Sequence, residues 1–272
     1  MTQRAITATF LIAGALLLIY FGGFALIITT VICLMFALYE EYQALSRAGH
    51  QPVAWPTWAA LVLSVPLAAC FGEKVVIPIL MGAFLVTAGC VIFRAQPQLD
   101  DLVMSLLPLF SVVLPGFAVI SLSHVQPLSV QRTLLGLLIA VPVSCDSLAF
   151  FVGTRMKGPH LCTQVSPHKT ISGAVGGLVG AVAAAMLIGL IARLICAPTT
   201  WPLLPHWWQY LLIGLTGGAA SQLGDLFASL IKRHCGIKDF SNLFPGHGGM
   251  LDRLDSIVFM AIVVMCFRLL TA

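Results

Sequence analysis

Asp225, Asp252 and Asp255 stand beside Lys232, Arg233, Lys238 and Arg253 in a chain that is otherwise nearly uncharged. Only 9% of its 272 residues are Asp, Glu, Lys or Arg. Ionisable groups are costly in hydrocarbon, so a cluster of them in an apolar chain points to function. The segment 229–255, SLIKRHCGIKDFSNLFPGHGGMLDRLD, combines carboxylates, cations, His247 and the glycines Gly248 and Gly249. Those groups are what binding a metal-chelated polyphosphate requires.

Ser221, Asp225, Ser229 and Lys232 are spaced 4, 4 and 3 apart. On a helix that spacing puts them on one face. Asp225 lies about six residues inside the end of its apolar run, roughly 9 Å at 1.5 Å per residue. A lone carboxylate there is protonated or costly. A divalent cation resolves the cost, and so does an ion pair with Lys232 or an Arg from another helix. The cation is the favoured reading. Gly217, Gly218, Ala219, Ala220 and Gly224 leave room for a close neighbour. Asp252 reads as a second ligand. Asp255, three residues on, reads either as a further ligand or as a cap at a helix start. Lys232, Arg233 and Lys238 suit phosphate oxygens, or else lipid head groups at the membrane surface. The turn 245–249 can aim backbone N–H groups at an anion.

A second polar stretch lies upstream. Asp146 falls near the end of an apolar run, and Ser166, Lys169 and Thr170 precede the next one. Lys169 can hold a phosphate, with Ser166 and Thr170 as donors near a helix start. No Ser-His-Asp or Cys-His arrangement and no Walker loop is present. Metal-assisted phosphoryl or nucleotidyl transfer needs neither, because the attacking oxygen belongs to the substrate.

The elements that must position these residues are membrane helices. The chain is 59% hydrophobic with a mean hydropathy of +1.01. Apolar runs of spanning length recur throughout. The pattern predicts an all-α, polytopic integral membrane protein with about nine transmembrane helices. They fall near 5–21, 24–39, 56–71, 75–93, 102–123, 133–153, 173–196, 208–231 and 255–271. Residues 5–39 carry no charge, too long a run for one crossing, and Gly22-Gly23 is the natural break. Residues 1–132 read as N-terminal helices and 133–272 as the catalytic region of one integrated membrane domain. The first apolar run has no polar cleavage region, so it reads as a helix and not as a removed signal. The eight cysteines form no CxxC pair and read as small apolar helix residues.

With the N-terminus in the cytoplasm, ten cations are cytoplasmic: Arg4, Arg47, Arg94, Arg155, Lys157, Lys169, Lys232, Arg233, Lys238 and Arg253. Lys74, Arg132, Arg193 and Arg268 fall outside. The asymmetry predicts this orientation and puts the loops 154–172 and 232–254 on one side. A net charge of +4 gives no reason to expect nucleic acid.

At these residues the chain resembles the phosphatidate cytidylyltransferase (CDP-diacylglycerol synthase) family. The family signature is met by Ser229, Lys232-Arg233, Lys238-Asp239, Pro245, His247-Gly248-Gly249 and Asp252-Arg253-Leu254-Asp255. The upstream elements are met by Ser221, Gln222, Gly224 and Asp225, and by Ser166, Pro167, Lys169 and Thr170. The resemblance implies that CTP and phosphatidic acid give CDP-diacylglycerol and pyrophosphate with Mg²⁺, and a second, monovalent cation such as K⁺. It implies metal ligation by Asp225 and Asp252, with Lys232, Arg233, Arg253 and His247 in the catalytic set. Ser166, Lys169, Thr170, Ser221, Ser229, Lys238, Asp239, Gly248, Gly249 and Asp146 are the implied substrate-binding set. It further implies a cytoplasmic (inner) membrane enzyme whose site faces the cytoplasm, and a homodimer. The chain departs at Phe150, where the family often has Tyr, and at Ser172, where an acidic or amide residue is common. An ion-coupled transporter and a related lipid or polyprenol kinase are the alternatives.

Overall fold

The structure, a computed structural model, describes residues 2–244, 246 and 248–271. Helix α1 (Thr2–Phe21) ends at Gly22, and α2 (Gly23–Arg47) follows directly. Gly22 and Gly23 both take positive φ, 56° and 46°, which a Cβ would resist. The expected break is therefore at the expected glycines. Helices α3 (Trp55–Phe71) and α4 (Val76–Ile92) form a pair, followed by α5 (Leu99–Pro108) and α6 (Leu114–Ser121). A π-turn, Leu109–Val113, joins the last two. Pro115 has no N–H for the Ser111 carbonyl, so the hydrogen-bond ladder widens there.

The second half holds α7 (Leu128–Met156), β1 (His160–Cys162), β2 (Ser166–Thr170), α8 (Ile171–Ile195), α9 (Trp207–His234) and α10 (Leu251–Thr271). The fold is that of an all-α polytopic membrane protein. Each expected span coincides with helix. Among the described residues, however, six stretches are long and apolar enough to cross a membrane, not nine. The helices α3 and α4 have 17 residues each, a rise of about 25 Å against a hydrocarbon core of about 30 Å. The loop 154–172, expected to be irregular, contains an antiparallel hairpin pairing His160 with Thr170 and Cys162 with Ser166.

Small residues bring α7, α8 and α9 together. A Cβ on Gly177 would lie 2.9 Å from both the Cys145 carbonyl of α7 and Gln222 Nε2 of α9. One on Gly214 would lie 2.7 Å from Val182 Cα. Without side chains between them the backbones approach closely, as membrane helices commonly do. The apolar core forms two clusters, and each draws on both halves of the chain. Leu26 and Ala118 pack with Leu137, Ala181 and Met260. Leu38, Leu61 and Val112 pack with Ala228, Ile231, Phe240 and Leu251.

The end of α2 is unusually polar for a buried helix. Tyr42 OH lies 2.8 Å from Thr57 Oγ1 and 2.9 Å from the Ser105 carbonyl. Glu41 is buried against Ser111 Oγ at 3.0 Å. Its neighbour Glu40 reaches across to the start of α10. These contacts fix the N-terminal helices against the segment that carries the charged motif.

Candidate active site

Helices α7, α8 and α9 and the hairpin enclose a pocket of about 420 Å³. Asp146, Lys169, Thr170, Gln222 and Asp225 supply its polar lining, and Ala149, Phe150 and Leu161 an apolar wall. Strand β2 delivers Lys169 to Asp225, and the two form an ion pair. Thr170 is the N-cap of α8, its Oγ1 accepting from Gly173 N at 3.1 Å. The cap fits there because Gly153 faces it: a Cβ would lie 2.9 Å from Thr170 Oγ1. Gln222 Nε2 donates to the Ala174 carbonyl at 2.9 Å, tying α9 to the first turns of α8. The N-terminus of α8 therefore lies beside a lysine, with Ile171 N donating to the Pro159 carbonyl at 3.0 Å and Gly173 N to Thr170.

Asp252, in the first turn of α10, is enclosed by donors. Lys232 Nζ lies 2.7 Å from its Oδ1. Phe240 N and Gly249 N both donate to its Oδ2 at 2.9 Å. Its side chain is 3% exposed. Gly248 takes a φ of 81°, and a Cβ on it would lie 2.8 Å from Asp252 Oδ2. A Cβ on Gly249 would lie 2.5 to 2.7 Å from the Glu40 carboxylate. Each glycine therefore leaves space for a carboxylate. The N–H of Gly249 is engaged by Asp252 and not offered to solvent.

Asp225 lies close enough to Asp146 and to Asp255 to repel both. Lys169 and Arg253 offset the charge at Asp146, and Lys232 does so at Asp255. Asp146 of α7, Asp225 of α9 and Asp255 of α10 are thus electrostatic neighbours, and carboxylate oxygens are the donors that hard cations prefer. Among the described residues no group of three or more His, Cys, Asp or Glu side chains is placed to hold a metal ion. Mg²⁺ commonly takes only one or two carboxylates and completes its shell with water and phosphate oxygens. Asp225 and Asp252 do not share a partner: Lys169 holds one and Lys232 the other. Asp252 keeps one lone pair on Oδ1 beyond its three donors, which leaves it able to ligate.

The other expected site residues are distributed around this centre. Arg233 reaches from α9 to the Val165 carbonyl at 3.3 Å, joining the two polar loops. Arg253 is exposed on α10, and Lys238 and Asp239 are exposed on the loop before it. Ser166 is half-buried in β2, and Ser229 is half-buried on α9. Ser221 is buried and donates to the Gly217 carbonyl of its own helix at 2.7 Å. His247 and Pro245 lie outside the described residues. Among the two departures, Phe150 lines the pocket, and Ser172 Oγ donates to the Lys157 carbonyl at 2.5 Å.

The residue that spacing did not single out is Glu40. Its carboxylate is the partner of the α10 N-terminus, 210 positions away in sequence. The available signal was an acidic pair, Glu40-Glu41, directly after the uncharged stretch 5–39. Gln222, part of the motif but not assigned to the site, also faces the pocket.

The sequence is similar to those of several known proteins. A phosphatidate cytidylyltransferase of Brucella abortus (strain 9-941) is 40% identical over 155 residues, covering 56% of this chain and 53% of that protein. The chain thus aligns with about half the length of that relative. The phosphatidate cytidylyltransferase of Synechocystis is 31% identical over 300 aligned positions, covering 99% of this chain and 97% of that protein. That of Bacillus subtilis is 43% identical over 117 residues, covering 43% of this chain and 40% of that one. The profile of the Cytidylyltransferase family matches residues 2–271. Matched along essentially its whole length, and with the charged motifs gathered at one end of the helix bundle, the chain belongs to the Cytidylyltransferase family.

Proposed function

We propose that this protein transfers the cytidylyl group of CTP to phosphatidic acid, giving CDP-diacylglycerol and pyrophosphate. The observation that carries this reading is the mixed polar and apolar lining of the pocket between α7, α8 and α9. Asp146, Lys169, Thr170 and Asp225 line it together with Ala149, Phe150 and Leu161. The polar lining suits phosphates, and the apolar side chains suit the first carbons of acyl chains. The name of the Synechocystis relative, matched along nearly its full length, supports the same substrates.

A lipid phosphate oxygen forms the new bond to the α-phosphorus of CTP, and the bond from that phosphorus to the β-phosphate bridging oxygen breaks. The nucleophile is already ionised, so the chain supplies position and charge and not a strong base. Lys169 exchanges its contact with Asp225 for a phosphate oxygen. Lys232, Arg233, Arg253 and Lys238 hold the triphosphate, and the motif assigns His247, Gly248 and Gly249 to the same reaction. Ser166 and Thr170 donate at the N-terminus of α8, while Ser221, Ser229 and Asp239 shape the surroundings. Asp225 and Asp252, with Asp255 as a further ligand, would hold Mg²⁺, which would supply charge neutralisation for the phosphates, and a monovalent cation such as K⁺ belongs to the same reading. Residues 133–272 form the catalytic region and 1–132 the scaffold of one membrane domain. The site faces the cytoplasm at the inner membrane, and the protein works as a homodimer without nucleic acid.

The test is the fate of label. Purified protein in mixed micelles with phosphatidic acid and Mg²⁺ receives CTP labelled in the cytidine or in the γ-phosphate. Cytidine label entering lipid supports the reading. Label entering lipid from the γ-phosphate alone assigns a lipid kinase instead.

A further inference from the structure

Glu40 lies at the end of α2, far in sequence from every motif residue, yet it closes the N-terminus of α10. Its Oε1 accepts from Ser241 Oγ at 2.6 Å and from Met250 N at 2.9 Å. Its Oε2 accepts from Leu251 N at 2.8 Å. The residue is 3% exposed. The first N–H groups of a helix have no partner within the helix and carry its positive dipole end. Here the N–H groups at the entry to α10 are divided between two carboxylates. Met250 and Leu251 go to Glu40, and Gly249 goes to Asp252.

This division links Glu40 to the charged motif through the backbone. Glu40 fixes the peptide planes at 250 and 251, and the adjacent Gly249 N–H then fixes Asp252 Oδ2. Asp252 in turn meets Lys232. Gly249 has no side chain, which lets the Glu40 carboxylate approach the turn. Ser241 extends the same hold to the loop after Lys238 and Asp239.

We propose that Glu40 is a positioning residue for the proposed cytidylyl transfer. It sets where Asp252, Arg253 and Asp255 stand by holding the start of α10 from a different helix. The inference rests on the proposed site at α9 and α10. A neutral amide of the same shape cannot do this work: Gln accepts through one oxygen only, and its NH₂ opposes the second backbone N–H.

The experiment compares wild type, Glu40→Gln and Glu40→Asp, with Ser105→Ala as a stability control. Ser105 is buried and accepts from Val53 N in the same half of the molecule. Folded fraction is measured by size exclusion and thermal unfolding, and backbone exchange at 250 and 251 by hydrogen–deuterium mass spectrometry. Per folded molecule, Glu40→Gln is expected to lower kcat roughly 10- to 100-fold, while KM for CTP shifts less than about threefold. Exchange at Met250 and Leu251 accelerates. Glu40→Asp keeps the charge but withdraws it, and is expected to fold with a smaller loss of kcat. Ser105→Ala is expected to lower thermal stability and leave kcat per folded molecule at the wild-type value.

Wild-type kcat in folded Glu40→Gln overturns the inference. If that variant does not fold, wild-type kcat in Glu40→Asp overturns it equally. A wild-type protein that transfers no cytidine label is a separate outcome, which removes the proposed reaction and this inference with it.

Discussion

Lys232 Nζ donates to Asp252 Oδ1 across 2.7 Å, joining the last turn of α9 to the first turn of α10. The pair is shielded, with side chains 14% and 3% exposed. Removing one partner of a buried pair leaves the other charge uncompensated, at a cost of roughly 3 kcal/mol or more. Lys232→Met is therefore expected to lower thermal stability by about that amount and to abolish transfer, as read by unfolding in detergent and by label in lipid. Wild-type stability in this variant would show that Asp252 is adequately held by Phe240 N and Gly249 N alone.

Gly249 offers a steric test of the same corner. A methyl group there would lie 2.5 to 2.7 Å from the Glu40 carboxylate, and overpacking of this kind costs about 1 to 3 kcal/mol. Gly249→Ala is expected to lose stability and activity together. Gly82→Ala, on a helix position with nothing within 4 Å of the new atom, is expected to match wild type in both. Equal behaviour of the two variants in thermal unfolding would mean that the turn relaxes freely.

Phe150 is 74% exposed and borders the pocket. Adding a hydroxyl to an exposed ring is expected to change stability by under about 0.5 kcal/mol. Phe150→Tyr should therefore retain fold and cytidylyl transfer. A large gain in kcat would assign the family's tyrosine hydroxyl a role that this chain lacks.

Ser172 occupies the other departure. Its hydroxyl meets the Lys157 carbonyl, and Lys157 holds a φ of 54°, so the contact anchors a strained turn to the start of α8. Loss of one hydrogen bond is worth about 1 kcal/mol. Ser172→Ala is expected to show that loss in thermal unfolding with the transfer rate little changed. A collapse of the rate would place the turn in the site itself.

The helices and their order were legible because hydrophobic run length and glycine breaks are local properties. The break at Gly22-Gly23 is an example. Span count was less legible, since α3 and α4 are apolar but short. The site was legible as a set of residues but not as a set of pairs. Spacing on α9 made Lys232 a candidate partner for Asp225, yet Lys169 of β2 meets Asp225 and Lys232 meets Asp252. Those pairings depend on how loops fold back over the bundle, and no periodicity records that. The hairpin was missed because its short strands carry Pro167 and exposed polar residues, which read as a loop. Glu40 was missed for a similar reason: its partners lie 201 to 211 positions away.

Asp225 is half-exposed to the pocket, beside Lys169 and facing the repulsion of Asp146 and Asp255. Converting it to Asn removes charge without opening a cavity, so the fold should persist. The most direct measurement is a Mg²⁺ titration of cytidine-label transfer to phosphatidic acid by wild type and by Asp225→Asn, each with an EDTA arm. Saturable Mg²⁺-dependent transfer by wild type, silenced by EDTA and lost in a folded Asp225→Asn, is the predicted result. Transfer that survives EDTA, or a variant that matches wild type across the titration, would contradict a cation site built on this carboxylate.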